Sequence, residues 1–555
     1  MGVRSMTKFK LKFDFWTVIT LCIAILFAIF LLYPMLSLLA SGFKSPVEGT
    51  FTFHNFTKFF QKKYYYQGLL NSFLVSCCVT LLAVLIGAPL AYLTTAYKVK
   101  GKKLIEILII ISMLSPPFIG AYSWVLLCGR SGIITKFFQL FGIQMPSIYG
   151  FGGILIVLTL KLFPFIYLYV SGALKKLDVS LSEAAESLGC NSVKKVFTII
   201  LPLITPTLLA GSLMVFMNAI ADFGTPMLIG EGFNVMPVMI YSEFISEVGG
   251  QANFSAAMAT IMVLITALLF IGQKYMINKK SFTMSSLKPI QPVAFDGLKG
   301  VLGHIAIYLV VFLAMIPQLT VVVTSFMETK GSRFLAGLSL ESYRTVFRGL
   351  WHSVANTYLY GLVAIAIIVL LGMFIAYMST RKKNLLTSTI DTITMFPYIL
   401  PGSVLGITLL LAFNKKPMLM SGTITILVIA YIVRKLPYTL RSSAAILYQI
   451  SPSLIEASVS LGCSPMKTFF KVTAVMMLPG VFAGAIMSWI TVINELCASV
   501  ILYTGSTKTM SVAIYAEVVK QSYGTAAALS SILIATTIIS LLIFFKLTGN
   551  RSISM

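Results

Sequence analysis

Charge is scarce in this chain. Asp, Glu, Lys and Arg make up 11% of 555 residues, and only 17 residues are acidic. Hydrophobic residues reach 58% and the mean hydropathy is +0.93, so a soluble domain of this length could not cover its apolar surface. Histidine is nearly missing: His54, His304 and His352 are too few and too scattered for a metal cluster. The seven cysteines make no CxxC pair and no metal-ligand spacing. Cys22, Cys77, Cys78 and Cys128 fall inside apolar runs and read as small buried hydrophobes with free thiols. There is no P-loop, no HExxH and no convincing Ser-His-Asp set, which argues against a membrane-embedded enzyme, and no catalytic or metal-binding residue is assigned. Period-two alternation is also missing, which excludes a barrel.

What the chain does have is apolar runs long enough to span a bilayer as helices. Twelve are marked, near 15–40, 68–95, 104–128, 151–173, 203–223, 254–273, 301–326, 354–379, 388–413, 421–440, 476–500 and 524–545. The fold class is therefore all-α and polytopic. A polar stretch with Lys279, Lys280, Ser285, Ser286, Lys288, Pro289 and Pro292 divides it. The expected units are residues 1–273 (helices one to six), a linker 274–300, and residues 301–555 (helices seven to twelve). Arg4, Lys8, Lys10 and Lys12 precede the first run, which is too long for a signal peptide and reads as a retained helix.

The net charge of +25 reports orientation, not nucleic acid. With both termini in the cytoplasm, the inner loops hold roughly 25 basic residues against about 14 outside. The third outer loop, near 223–253, has no Lys or Arg but contains Glu231, Glu243 and Glu247. Six helices per half make the two halves parallel repeats, whereas a secondary transporter would show inverted ones.

One pattern occurs twice. Ser180, Glu183, Ala184, Ala185, Leu188, Gly189, Pro206 and Gly211 recur as Ser453, Glu456, Ala457, Ser458, Leu461, Gly462, Pro479 and Gly484, always at the same offset (456 − 183 = 273). Both copies fall in loops predicted to be cytoplasmic, within 178–202 and 451–475. Ser180-x-x-Glu183 and Ser453-x-x-Glu456 fit a capping box, and Gly189 and Gly462 stand where a helix would end in a left-handed residue. A short surface helix of about two turns is expected in each. Pro202, Pro206 and Pro479 are read as marking the return into the membrane.

The run Glu183-Ala-Ala-x-x-x-Gly189, followed by Ile199-x-Leu201-Pro202, resembles the EAA loop of ABC importer permeases. The second copy keeps Glu456, Ala457 and Gly462 but has Ser458 in the motif and Ala474-Val475 in place of Leu-Pro. Asn71-Ser72 and Asn356-Thr357 resemble the Asn-Ser/Thr signature of the same family, and Lys161-x-x-Pro164 recurs as Arg434-x-x-Pro437. The resemblance covers both halves. It implies the type I importer fold, an extracytoplasmic substrate-binding protein, and two copies of a separate ATPase that use ATP and Mg. No cofactor is expected on this chain, and the location implied is a bacterial cytoplasmic membrane. The two short helices would each dock in an ATPase cleft.

Ala221-Asp222-Phe223-Gly224 and Asn494-Glu495-Leu496-Cys497-Ala498 resemble stretches of ferric-iron permeases, with cysteine where proline is usual. Asp222 and Glu495 again differ by 273. An acid at membrane depth should face a cavity or a partner. Two readings stay open. The acids line the translocation path and meet a cationic substrate, hard oxygens suiting Fe(III), or they cap helix ends and pair with Lys161 and Arg434. Ferric iron is the expected cargo, with thiamine, phosphonate or sugar phosphate as alternatives on the same machinery.

Overall fold

Apolar segments without water to satisfy their backbone close their hydrogen bonds internally as helices. The computed structural model describes residues 15–45, 49–113, 116–246, 251–279, 291–331 and 333–548. Arg4, Lys8, Lys10, Lys12, Glu247, Lys280, Ser285, Ser286, Lys288, Pro289 and the tail from 549 lie outside the described residues. Among the described residues, nine helices are long and apolar enough to cross a bilayer: Phe15–Gly42, Lys63–Ala96, Phe151–Leu174, Val196–Ile220, Ala252–Gly272, Gly300–Ser325, Trp351–Arg381, Pro465–Ile493 and Tyr523–Leu547. Ile424–Gln449 is 26 residues long but carries Arg434, Lys435 and Arg441.

The third segment of each half, expected as one run, is broken instead. Residues 104–128 form Lys102–Met113 and Pro117–Cys128, and residues 388–413 form Leu385–Thr394, Phe396–Ile399 and Gly402–Ala412. Pro116 and Pro401 are the N-cap residues after each break. Proline cannot continue a helix through its missing N–H, but its fixed φ suits the start of the next one. These prolines differ by 285 (401 − 116), as do Asn71 and Asn356, whereas Lys161 and Arg434 differ by 273. The change of register is extra chain between the third and fourth segments of the first half, where the helix Ile133–Leu140 lies.

The fifth helix of each half starts earlier than the hydropathy suggested, at Ser192 and Pro465, and passes through a π-helical turn at Val196–Ile200 and Phe469–Thr473. Pro202, Pro206 and Pro479 therefore sit inside a continuous helix and do not mark its beginning. The second copy keeps its π-turn with Val475 where the first has Pro202, so that proline is not the cause. Gly211 and Gly484 face the fourth helices. A Cβ at Gly484 would lie 2.6 Å from the Cα of Thr439, a close approach typical of small residues between membrane helices.

Part of the first helix of each half packs into the other half. Trp16, Ile23, Phe27 and Leu31 share a buried cluster with Tyr360, Tyr377, Leu440 and Phe469. The Trp16 ring lies 4.6 Å from Tyr377 and 5.1 Å from Phe469, and the Thr20 hydroxyl donates to the Met378 sulfur at 3.0 Å. Conversely, Ile307, Val311 and Ala314 pack with Ile105, Ile109 and Leu158. In lipid, such contacts hold through close packing and not through expulsion of water.

At the end remote from the duplicated loops, Asn71 and Asn356 have matching tasks. Asn71 Nδ2 donates to the Asn234 carbonyl at 2.9 Å, and Asn356 Nδ2 donates to the carbonyls of Ser506 and Lys508 at 2.9 and 3.0 Å. The neighbouring hydroxyls of Ser72 and Thr357 accept from the backbone N–H of Met236 and Met510 at 2.8 and 2.7 Å. These bonds fix the first turns of two short apolar helices, Met236–Ile245 and Met510–Val519. The described part of the loop near 223–253 is thus structured, holding Gly224–Ile229 as well. Among the described residues of this all-α fold, two short strands, Met327–Lys330 and Arg333–Leu338, pair antiparallel.

Candidate functional site

The duplicated loops fold alike. Each contains a nine-residue helix, Val179–Ser187 and Pro452–Ser460. The capping boxes expected from Ser180/Glu183 and Ser453/Glu456 are not formed, because both helices begin earlier. The N-caps are Asp178 and Ser451, whose side chains accept from the backbone N–H of Ser180 at 2.9 Å and of Ser453 at 3.3 Å. Ser180 and Ser453 are therefore in the first turn, leaving Glu183, Ala184, Glu456 and Ala457 exposed on the helix surface. Ala185 and Ser458 face inward, 5% and 9% exposed, and the Ser458 hydroxyl lies 3.1 Å from that of Thr468.

Both helices end as the sequence predicted. Gly189 has φ 78° and Gly462 has φ 85°, the left-handed region that glycine adopts without strain. Beyond them, Cys190 N–H donates to the Ala185 carbonyl at 3.0 Å and Cys463 N–H to the Ser458 carbonyl at 3.1 Å, closing each terminus. The residues just before the glycines, Leu188 and Leu461, are 86% and 85% exposed. Each loop thus presents a rigid helix with small and acidic residues on its surface and an uncovered leucine at its end.

The second constellation lies at the seam between the halves. Asp222 and Glu495 sit two residues past the ends of the helices Val196–Ile220 and Pro465–Ile493. Asp222 Oδ2 accepts from Lys161 Nζ at 2.6 Å, while its Oδ1 accepts from the backbone N–H of Thr225 at 2.8 Å. Glu495 Oε1 accepts from the Arg434 guanidinium and from the Ala498 N–H, the latter at 3.2 Å, and its Oε2 accepts from Lys435 Nζ at 2.8 Å. Each acid thus holds a base 61 positions away and accepts from the backbone N–H three residues on (222 − 161 = 61; 495 − 434 = 61). The ion-pairing geometry is present in both halves. All five charged side chains, with Cys497, line one cavity of about 190 Å³.

Two members of this site were missed. Lys435 follows Arg434 where the first half has Leu162, and a base beside a base in an apolar helix was the available signal. Gly402, after the Pro401 break, was not singled out either. A Cβ there would lie 2.1 Å from the Arg434 guanidinium and 2.6 Å from the Cys497 Cβ, so only glycine lets the broken helix reach the ion pair.

Residues 83–282 and 368–549 match the model of a family described as "Binding-protein-dependent transport system inner membrane component". The chain is 30% identical over 546 residues to "Ferric transport system permease protein FbpB" of Actinobacillus pleuropneumoniae, covering 96% of this chain and 78% of that one. It is 24% identical over 461 residues to "Fe(3+)-transport system permease protein FbpB 2" of Haemophilus influenzae, covering 82% and 85% respectively. A solved chain from a bacterial ABC transporter involved in the import of the acidic polysaccharide alginate aligns with 48% of this chain and 95% of its own length, with a TM-score of 0.40 and 19% identity.

Proposed function

Since the chain belongs to the family of inner membrane components of binding-protein-dependent transport systems, we propose that it carries ferric iron across the cytoplasmic membrane, powered by two copies of a separate ATPase. The relatives whose names specify ferric transport support the cargo. The observation that carries the coupling role is the pair of nine-residue helices at a 273-residue offset, each with a left-handed glycine and an exposed leucine at its end. A surface that repeats in this way suits two identical partners.

In this reading both termini and both short helices face the cytoplasm. A loaded extracytoplasmic binding protein docks on the opposite side. Closure of the ATPase pair on ATP pushes on Val179–Ser187 and Pro452–Ser460, and the continuous helices that follow carry the displacement to the seam. The seam opens outward to receive iron, and hydrolysis returns it. The ATPase biases this equilibrium only by its differential interaction with the two states, so weakening either loop uncouples hydrolysis from transport. Asp222, Glu495, Lys161 and Arg434 line the path in this mechanism.

The test is to replace Glu183 with Ala and Gly189 with Val together, then measure co-purification with the ATPase and binding-protein-stimulated ATP hydrolysis in proteoliposomes. Undiminished assembly and transport would remove the docking role. Uptake of radiolabelled iron, compared with thiamine, a phosphonate and a sugar phosphate, tests the cargo; iron uptake no faster than leak would remove that part.

A further inference from the structure

The charges around the seam cavity do not balance. Lys161, Arg434 and Lys435 are set against Asp222 and Glu495, a formal surplus of one positive charge. The surplus comes from Lys435, which stands where the first half has Leu162. All four carboxylate oxygens are already engaged, each by a base, a backbone N–H or both. The bases are not exhausted: a lysine ammonium carries three N–H donors and a guanidinium five, arranged to grip an oxyanion. Asn218 and Thr491 add neutral polar groups to the lining. Among the described residues, no group of three or more His, Cys, Asp or Glu side chains is placed to hold a metal ion.

A bare trivalent cation is badly matched to this cavity. It would meet a net positive field in a poorly screened interior, and it would have to strip each carboxylate from its partners to gain a hard oxygen ligand. An oxyanion has the opposite fit. We propose that the seam cavity is an anion-accepting site, and that iron passes through it only as a complex whose oxyanion ligand, of phosphate or carboxylate type, is held by Lys435 together with Arg434 and Lys161. The iron half of this statement rests on the cargo proposed above; the anion half rests on the charges alone.

The experiment uses the full chain with its ATPase and binding protein in proteoliposomes. Labelled iron is supplied with labelled inorganic phosphate or with labelled citrate, and both labels are counted inside. Co-uptake of anion and iron in a fixed ratio is the expected result. Lys435→Leu, which matches the first half and leaves Glu495 paired with Arg434, should slow co-uptake by about tenfold, the loss of one charge-assisted hydrogen bond. Lys435→Arg, which keeps the charge, should restore it. A single cooperative unfolding transition for Lys435→Leu, well above the assay temperature, shows that the slowing is not misfolding. Iron entering without any anion, or unslowed co-uptake by stable Lys435→Leu, overturns the proposal. Phosphate entering without iron upholds the anion site and refutes the ferric cargo, so the two readings fail separately.

Discussion

Replacing Glu495 with glutamine removes the carboxylate that Arg434 and Lys435 share and leaves the two bases adjacent. The loss is large because of where they are: the Glu495 side chain is 4% exposed, and those of Arg434 and Lys435 are 17% and 11% exposed. Two charge-assisted hydrogen bonds are removed, each worth about 1.5–3 kcal/mol. Orphaning a buried ion costs about 3–5 kcal/mol by the same order of reasoning. Asp222→Asn gives the internal comparison. It removes one such bond, to a lysine that is 20% exposed, and should cost about half as much. The assay is the apparent thermal unfolding midpoint of the purified chain in detergent, followed by tryptophan fluorescence. Glu495→Gln should lower it clearly more than Asp222→Asn. Adding Lys435→Leu to Glu495→Gln should recover part of the loss, because it withdraws one of the stranded cations. Equal midpoints for Glu495→Gln and the parent, or equal effects of the two acid substitutions, would refute the assignment of Glu495 as the hub of the second ion pair.

Gly189→Ala and Gly462→Ala each force a side chain into a left-handed conformation, at about 1–2 kcal/mol, and should weaken binding of the ATPase in a pull-down; alanine is tolerated if the helices end elsewhere. Gly402→Ala drives a methyl into the Arg434 guanidinium and should lower both the unfolding midpoint and transport, with a parental midpoint counting against the close approach. Trp16→Ala empties a buried site among Tyr377, Phe374 and Phe469 and should cost about 3–5 kcal/mol, seen as faster proteolysis of the second half. Asn71→Ala should free the Asn234 loop and speed cleavage there, while Asn356→Ala acts in the same way near Lys508.

Charges in apolar helices are conspicuous, and this made much of the site legible. Asp222 and Glu495 stood out because an acid at membrane depth needs a cavity or a partner, and pairing with Lys161 and Arg434 was one of the two readings the sequence left open. Gly189 and Gly462 were legible for a similar reason: a small residue after a helical run signals a left-handed terminus. The true caps were not. Asp178 and Ser451 became caps because the backbone turns helical one residue after each, and a serine with a glutamate three positions on gave a competing start two residues later. Pro116 and Pro401 were hidden by the apolar residues on both sides, since hydropathy averages across a break. The packing of Trp16 on Tyr377 was invisible because those residues are hundreds of positions apart and no local pattern links them. The hairpin at Met327–Leu338 is too short for a period-two signal to rise above its neighbours.

The first helices, each lodged partly in the other half, leave each half structurally incomplete by itself. Cut within the linker, the chain would give an N-terminal fragment lacking the Ile307–Ala314 stave along Ile109, and a C-terminal fragment lacking the Trp16–Leu31 stave along Tyr360. Two such fragments would each expose a lengthwise strip of core to lipid until the other arrived. Fusion in one polypeptide guarantees that both staves are made together, one of each, in every molecule.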